Sequence, residues 1–264
     1  MGVSIIVATY NCKEYISDCL ESLLNQSYKD FEVIVCDDCS TDGTLNVLES
    51  YSSKGFIKLL KNEHNCGSAY SRNRCIYESR FEYVAIQDAD DASTSDRLEK
   101  QLAFLENNKD FAFVSSAAYT FEKDITDLGR VMSFSRKTPT KWSFLKGSPF
   151  IHPTTVFRKA CLLAVNGYRV SKETRRAQDY DLFMRLYSAG YRGKEMDDVL
   201  YYYRLDLQTK KRMVLSSCRD EMRIRLKGYK SLHLMPIGYL FCLKPFFAFL
   251  LHKMGFYRYK AKKR

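Results

Sequence analysis

Four times in its first 107 residues the chain passes from a short β-rich apolar run to an amphipathic helical pattern. The apolar runs are 3–9, 31–36, 56–60 and the segment ending at Asp88. The helical patterns follow at 15–24, 44–51, 69–77 and 96–107, with Ile16, Cys19, Leu20 and Leu23, or Leu98, Leu102 and Leu105, at helical spacing. Strands that alternate with helices over short connections predict an α/β, doubly wound, mostly parallel sheet flanked by helices. In such a sheet ligands bind beyond the carboxyl ends of the strands. Three polar clusters fall at such ends: Thr9-Tyr10-Asn11, Asp37-Asp38 and Asp88-Ala89-Asp90-Asp91.

The last cluster carries the most chemistry. Acids this close repel one another and are tolerated when they face water or when a divalent cation sits among them. Oxygen-only donors suit Mg²⁺ or Mn²⁺, ions that bring phosphate-bearing substrates with them. The competing reading is a solvated acidic turn that caps the next helix. The convergence of three polar clusters on one rim favours the cation.

Beyond residue 110 the pattern changes. A strand is predicted at 111–121, and 122–150 reads as irregular and holds the single tryptophan, Trp142. Residues 152–158 read as a strand entering a helix, Gln178 opens a helix with acids in its first turn, and 199–204 reads as a late strand. The nine cysteines are scattered and odd in number, which fits reduced thiols, and no signal peptide is visible at the N-terminus. Cys36-Asp37-Asp38-Cys39 matches C-x-x-C, but the intervening acids oppose thiolate formation and two further soft ligands for zinc are not evident.

The formal charge of +11 is uneven. Residues 207–264 hold about 15 basic and about 2 acidic side chains, so this end is near +13 and the rest near −2. Within it, 234–251 is rich in Leu and Phe, is interrupted by Pro236, Lys244 and Pro245, and barely reaches spanning length. Flanking cations (Arg223, Arg225, Lys227 and Lys230 before; Lys253, Arg258, Lys260, Lys262, Lys263 and Arg264 after) suggest an interfacial helix on anionic lipid. The alternative is a helix packed on the body with a solvated tail. The aromatics do not interleave with the cations as a nucleic-acid stacking surface would, so no nucleic acid is expected as a partner.

Ser4-Ile5-Ile6-Val7-Ala8-Thr9-Tyr10-Asn11, Val35-Cys36-Asp37-Asp38-Cys39-Ser40-Thr41-Asp42-Gly43-Thr44, Arg72-Asn73, Asp88-Ala89-Asp90-Asp91 and Gln178-Asp179-Tyr180-Asp181-Leu182 together resemble the family-2 inverting glycosyltransferases, nucleotide-sugar enzymes of the GT-A fold. The resemblance spans roughly residues 3 to 205. It implies a catalytic domain over 1–206, with a donor half to about 110 and an acceptor half from about 111, and a basic, apolar helical extension over 207–264. By position, Thr9, Tyr10, Asn11 and Asp38 would bind the nucleotide, and Arg72 would lie near its base or diphosphate. Asp88 and Ala89 would lie along ribose and donor sugar, Asp90 would hold Mn²⁺ or Mg²⁺, and Asp179 would be the base. Trp142 and His152 are the acceptor-side candidates, although His152 reads equally well as a packed imidazole. UDP is the favoured nucleotide, and the acceptor would be a glycan or lipid-linked glycan at the cytoplasmic face of a membrane.

Two departures stand out. Gln178 replaces the frequent Glu before the base, and Tyr203-Arg204-Leu205-Asp206 lacks the His that many members place near the metal, so Asp206 is a candidate ligand. A sugar nucleotidyltransferase would need a Gly-rich loop after the first strand, whereas this chain has Tyr10-Asn11-Cys12-Lys13. An inactive scaffold is the remaining alternative, and the presence of Asp38, Asp90 and Asp179 argues against it.

Overall fold

The computed structural model describes residues 2–205 and 215–253. The first half runs β1 (Val3–Thr9), α1 (Ile16–Leu24), β2 (Phe31–Asp37), α2 (Thr44–Ser53), β3 (Lys58–Lys61), α3 (Ser68–Glu78), β4 (Tyr83–Asp88), β5 (Ala92–Ser93) and α4 (Arg97–Asn107). The second runs β6 (Phe113–Phe121), β7 (Leu128–Met132), β8 (Val156–Arg158), α5 (Lys159–Ala164), α6 (Gln178–Ser188), β9 (Gly193–Arg204), α7 (Leu215–Ser231), α8 (Gly238–Cys242) and α9 (Lys244–Lys253). One sheet takes the order β3-β2-β1-β4-β8-β6-β9-β5, with β7 paired to β6.

The predicted α/β sheet is there, and its parallel part is β3-β2-β1-β4. β8 pairs antiparallel to both β4 and β6, and β9 runs parallel to β6. Apolar residues alternate along β1, so Ile6 joins one core with α3 and α6, while Ile5 and Val7 join another with α1 and α4. Burial on both faces explains why the strands read as unbroken apolar runs.

Several sequence boundaries move. The third strand begins at Lys58, not Phe56, and leaves Phe56 exposed. Residues 152–154 form a short 3₁₀ turn and only Val156–Arg158 pairs as a strand; Pro153 has no N–H to give a ladder. Residues 122–150 are not wholly irregular: β7 and a 3₁₀ turn at Lys141–Leu145 lie there. β7 is mostly exposed and so carries little of the apolar alternation that would reveal it. The late strand starts at Gly193 and crosses two register shifts against β6, which broke its periodicity.

The C-terminal helices pack against the body. Ile224, Tyr229, Leu232, Leu234 and Cys242 enter the core shared with α6. Gly228 permits the close α6–α7 approach, since a Cβ there would fall 2.2 Å from Met184 Sδ. Among the described residues no helix is long and apolar enough to cross a membrane.

Beneath the sheet rim lies Arg97, 1 % exposed. Its Nε donates to Gln101 Oε1 at 3.0 Å, and its terminal nitrogens to Gln87 Oε1 (3.0 Å), Ser93 Oγ (2.9 Å), Ile86 O (2.8 Å) and Pro153 O (3.1 Å). The guanidinium also lies 5.0 Å from the Tyr201 ring centroid. Every N–H of the fork has an oxygen, which makes burial of the charge tolerable.

Candidate active site

Strand register assembles the rim. Thr9 pairs with Asp37, and Ala8 pairs with Asp88, so the three polar clusters end side by side. Thr9 is buried, and its carbonyl accepts from Asp38 N at 2.9 Å, which locks two strand ends together. The β1–α1 and β2–α2 loops are stitched to each other. Asn11, at φ 52°, donates its N–H to Ser40 Oγ (3.0 Å) and accepts from Thr41 N (2.8 Å) at its side chain. Lys13 N donates to Asp42 Oδ2 at 3.0 Å, and Asp37 accepts from Ser40 N (3.0 Å) and Ser40 Oγ (2.6 Å). Tyr10 stands out from this ledge, with its ring exposed.

Asp38 is buried and orders the loop before α3. Its Oδ1 accepts from Asn62 Nδ2 (2.6 Å) and Cys66 N (2.9 Å), and its Oδ2 from Gly67 N (2.7 Å). Gly67 has φ 88°, a conformation that favours glycine and aims its N–H at this carboxylate. With three donors placed on about four lone-pair sites, Asp38 keeps roughly one acceptance for a ligand.

The acids of Asp88-Ala89-Asp90-Asp91 have different partners. Asp88 Oδ1 accepts from the Arg72 guanidinium at 2.7 Å, and Asp88 N donates to Tyr201 Oη at 3.1 Å. Asp91 is buried and accepts from Arg204 N at 2.7 Å; burial and the neighbouring Asp88 and Asp90 push its carboxyl well above the usual range. Arg204 also grips the loop through Asp90 O at 2.8 Å. Asp90 is half-buried at the tip. Ala89 is buried beneath it.

The donor set fits a hard divalent cation. Mg²⁺ takes one or two carboxylates and completes its shell with phosphate oxygens and water, so Asp90 with Asp88 nearby suffices. Among the described residues no group of three His, Cys, Asp or Glu side chains could hold a metal alone. The sequence candidate Asp206 lies outside the described residues.

Arg72 and Asp88 open into a cleft of about 970 Å³ that also receives His152, Gln178, Asp179 and Tyr203. Arg72 is 7 % exposed, and its Nε and one terminal nitrogen are buried without hydrogen-bond partners. Such a guanidinium is built for an incoming acceptor group. Asp179 stands in the first turn of α6. Burial raises its pKa, while the N–H groups of Tyr180 and Asp179 and the Arg72 charge act to lower it, and Asp88 adds to the rise. Gln178 Nε2 donates to Ser68 Oγ at 2.7 Å, tying α6 to the start of α3. Asp181 is structural: its carboxylate takes Arg185 Nε at 2.7 Å, and Arg185 then donates to Val165 O and Gly167 O.

His152 is buried, with Nε2 2.7 Å from Tyr168 Oη. Burial and the Arg72 charge lower its pKa to about 3, so the imidazole is neutral. Trp142 does not join this group. It lies on the 3₁₀ turn, 49 % exposed, with Lys141 Nζ 5.7 Å from its ring, while Ser148 and Phe150 line the cleft in that region.

Sequence reasoning missed Arg97, Tyr168 and Tyr201, as well as Tyr203, which lines the cleft and whose pKa is raised by burial and by the charges of Asp91, Asp88, Asp90 and Asp179. No local spacing marks them, since their partners lie far away in sequence.

Acids thus stand at the carboxyl rim of a parallel half-sheet, with the half-buried Asp179 in the same cleft as Asp88. The model of "Glycosyl transferase family 2" matches residues 4–163. EpsE of Bacillus subtilis (strain 168), which carries a glycosyltransferase designation, is 34% identical over 263 residues, 99% of this chain and 94% of EpsE. The UDP-Glc:α-D-GlcNAc-diphosphoundecaprenol β-1,3-glucosyltransferase WfaP of Escherichia coli is 31% identical over 204 residues, 77% of this chain and 77% of WfaP. S. aureus TarS 1–349 in complex with UDP-GlcNAc superposes with a TM-score of 0.73 at 24% identity, over 98% of this chain and 74% of that one, which shows a shared fold. The chain belongs to glycosyltransferase family 2 and is a glycosyltransferase of GT-A architecture.

The raised Asp179 pKa has a stability consequence. A carboxyl whose folded pKa exceeds its unfolded value favours the fold when protonated, and that contribution is lost as pH rises through the folded pKa. Asp179→Asn, permanently neutral, should therefore melt higher than the parent protein at pH 7 to 8, and the difference should vanish below about pH 4. Thermal melts across pH check this; a lower melting temperature for the variant at neutral pH would contradict it.

Proposed function

We propose that the protein moves a sugar from a nucleotide-sugar, UDP-linked by preference, to a hydroxyl of a glycan or lipid-linked glycan, by direct displacement with inversion. The observation that carries this reading is the arrangement of Arg72, with two unpartnered buried nitrogens, and Asp179, with a raised pKa, in one cleft at the sheet's carboxyl rim.

The nucleotide occupies the ledge of Thr9, Tyr10 and Asn11, with its base imide donating to the remaining acceptor site of Asp38. Arg72 stays on Asp88 and offers its other N–H groups to donor oxygens. Asp90 holds Mn²⁺ or Mg²⁺, which when bound neutralises charge on the departing diphosphate. Asp179 takes the proton of the acceptor hydroxyl as that oxygen attacks the anomeric carbon. Burial makes this carboxylate a stronger base than an exposed one. A single carboxylate on the acceptor side gives one displacement, and the anomeric configuration inverts. Neutral His152, oriented by Tyr168, hydrogen-bonds an acceptor hydroxyl.

The C-terminal helices support work at an anionic membrane face on the cytoplasmic side. Although α8 and α9 bury Cys242 and Phe249, they leave Leu240 74 % and Phe247 56 % exposed, with Tyr239, Leu243 and Leu251 beside them. The sequence continues from there into the cationic end. An outward apolar face on a stretch of sequence rich in Lys and Arg favours the interface of an anionic bilayer.

Asp179→Asn should lower transfer by about 10²- to 10⁴-fold and leave nucleotide affinity within about twofold. Initial rates and calorimetric UDP titration check both; loss of nucleotide binding in the variant would remove Asp179 from the role of base. Leu240→Glu with Phe247→Glu should release the protein from vesicles containing anionic lipid, and unchanged co-sedimentation would remove the apolar face from membrane binding.

A further inference from the structure

We infer that Gln178 is a positioning residue: through the Ser68 hydroxyl it registers Asp179 against the nucleotide ledge, so that a nucleotide on Asp38 steadies the start of α6. This rests on the glycosyltransferase reading above and adds how one half of the site sets the other.

The start of α3 belongs to the Asp38 cluster. The Asp38 carboxylate holds the N–H groups of Cys66 and Gly67, the two residues before the helix, at 2.9 and 2.7 Å. Asn62 extends that hold along α3. Its Nδ2 donates to Asp38 Oδ1 (2.6 Å) and Ser71 Oγ (2.9 Å), and its Oδ1 accepts from Arg74 (2.6 Å). Ser68 is the first residue of α3 and follows Gly67 directly, so its position is set by the same carboxylate.

The helix α6 approaches from the other half of the chain. Its other side chains bond there: Tyr180 to Phe144 O, Arg185 to Val165 O and Gly167 O, Tyr187 to Pro139 O, and Ser188 to Ser231 O. Gln178, the first residue of α6, is the exception. Its Nε2 donates to Ser68 Oγ at 2.7 Å, and among the described residues this is the one side-chain hydrogen bond from α6 to residues 1–110. Asp179 is the next residue, so the tie lies one peptide from the base. A second tie fixes the foot of the loop before α6: Asn73 Nδ2 donates to Tyr168 O and Asn73 Oδ1 accepts from Tyr168 N, both at 2.7 Å. Ser68 and Asn73 share α3 with Arg72. One helix thus carries the donor-side guanidinium and fixes where the base stands relative to it. Displacement at a single carbon needs that registration, because a shift of about 1 Å costs on the order of 10²-fold in rate.

Hydrogen exchange read by mass spectrometry on the full chain, with and without saturating UDP and Mn²⁺, tests the inference. In the parent protein UDP should slow exchange at the start of α3 and, by about threefold or more, in the first two turns of α6. Gln178 and Ser68 are both half-buried, so truncating either leaves the core closed. Gln178→Ala and Ser68→Ala should each bind UDP within about threefold of the parent and keep the slowing in α3 while losing it in α6. The double variant should behave like either single one, since both remove the same bond. A merely structural tie would loosen α6 equally with and without UDP; UDP-induced slowing of α6 that persists in both variants would overturn the inference. A larger loss of UDP affinity would place these side chains on the nucleotide itself and would overturn it too. UDP binding with no slowing of α6 in the parent would sink the inference alone, whereas failure to bind UDP would sink the functional reading beneath it.

Discussion

The site depends on a buried charge beneath the sheet rim, bonded wholly within the protein. Arg97 sits under the rim with five donors placed on five neutral oxygens, from α4, the end of β4, β5 and the turn at Pro153. Burial lowers its pKa to about 10, so it is still charged at neutral pH. That charge holds together the element that ends in Asp88, the strand after the acidic loop and the turn that begins with His152. Tyr201, against the same guanidinium, accepts from Asp88 N. An unmet donor here would cost on the order of 1–3 kcal/mol, so the surrounding oxygens fix one geometry.

From this anchor the chemistry extends outward in layers. The acidic loop relieves its internal repulsion without relying wholly on a metal: Arg72 takes Asp88, and the backbone of Arg204 takes Asp91. In the proposed function the cation lies at the half-buried tip, at Asp90. Across the cleft, Asp179 is raised by the same burial that keeps His152 neutral, and Arg72 acts on both, restraining the first and depressing the second. One guanidinium thus acts on Asp88, Asp179 and His152 at once.

The parallel half of the fold was legible because its information is local. Apolar runs that end in Thr9, Asp37 and Asp88 announce strands and their functional ends at once, and the register then brings those ends together. The sequence places Asp88 at a strand end and Asp179 at a helix start, and the structure keeps both positions. The second half was harder to read because its pairing is long-range: β6 runs beside β9, which begins 80 residues after Phe113, with the short β8 on its other edge. Arg97 looks in sequence like the polar face of an amphipathic helix, and nothing local reveals that it points inward. Trp142 was an acceptor candidate as the lone tryptophan in a stretch that read as irregular, yet it is not among the residues that line the cleft.

The central claim is a nucleotide-sugar site completed by a divalent cation at Asp90. Calorimetric titration of UDP, GDP, dTDP and CMP into the purified protein, with and without Mn²⁺, tests it most directly. UDP should bind in preference to the others, more tightly with Mn²⁺, and Asp90→Asn should lose that Mn²⁺ dependence. Binding of none of the four nucleotides would contradict it, and Mn²⁺-dependent binding retained in Asp90→Asn would remove Asp90 from the metal site.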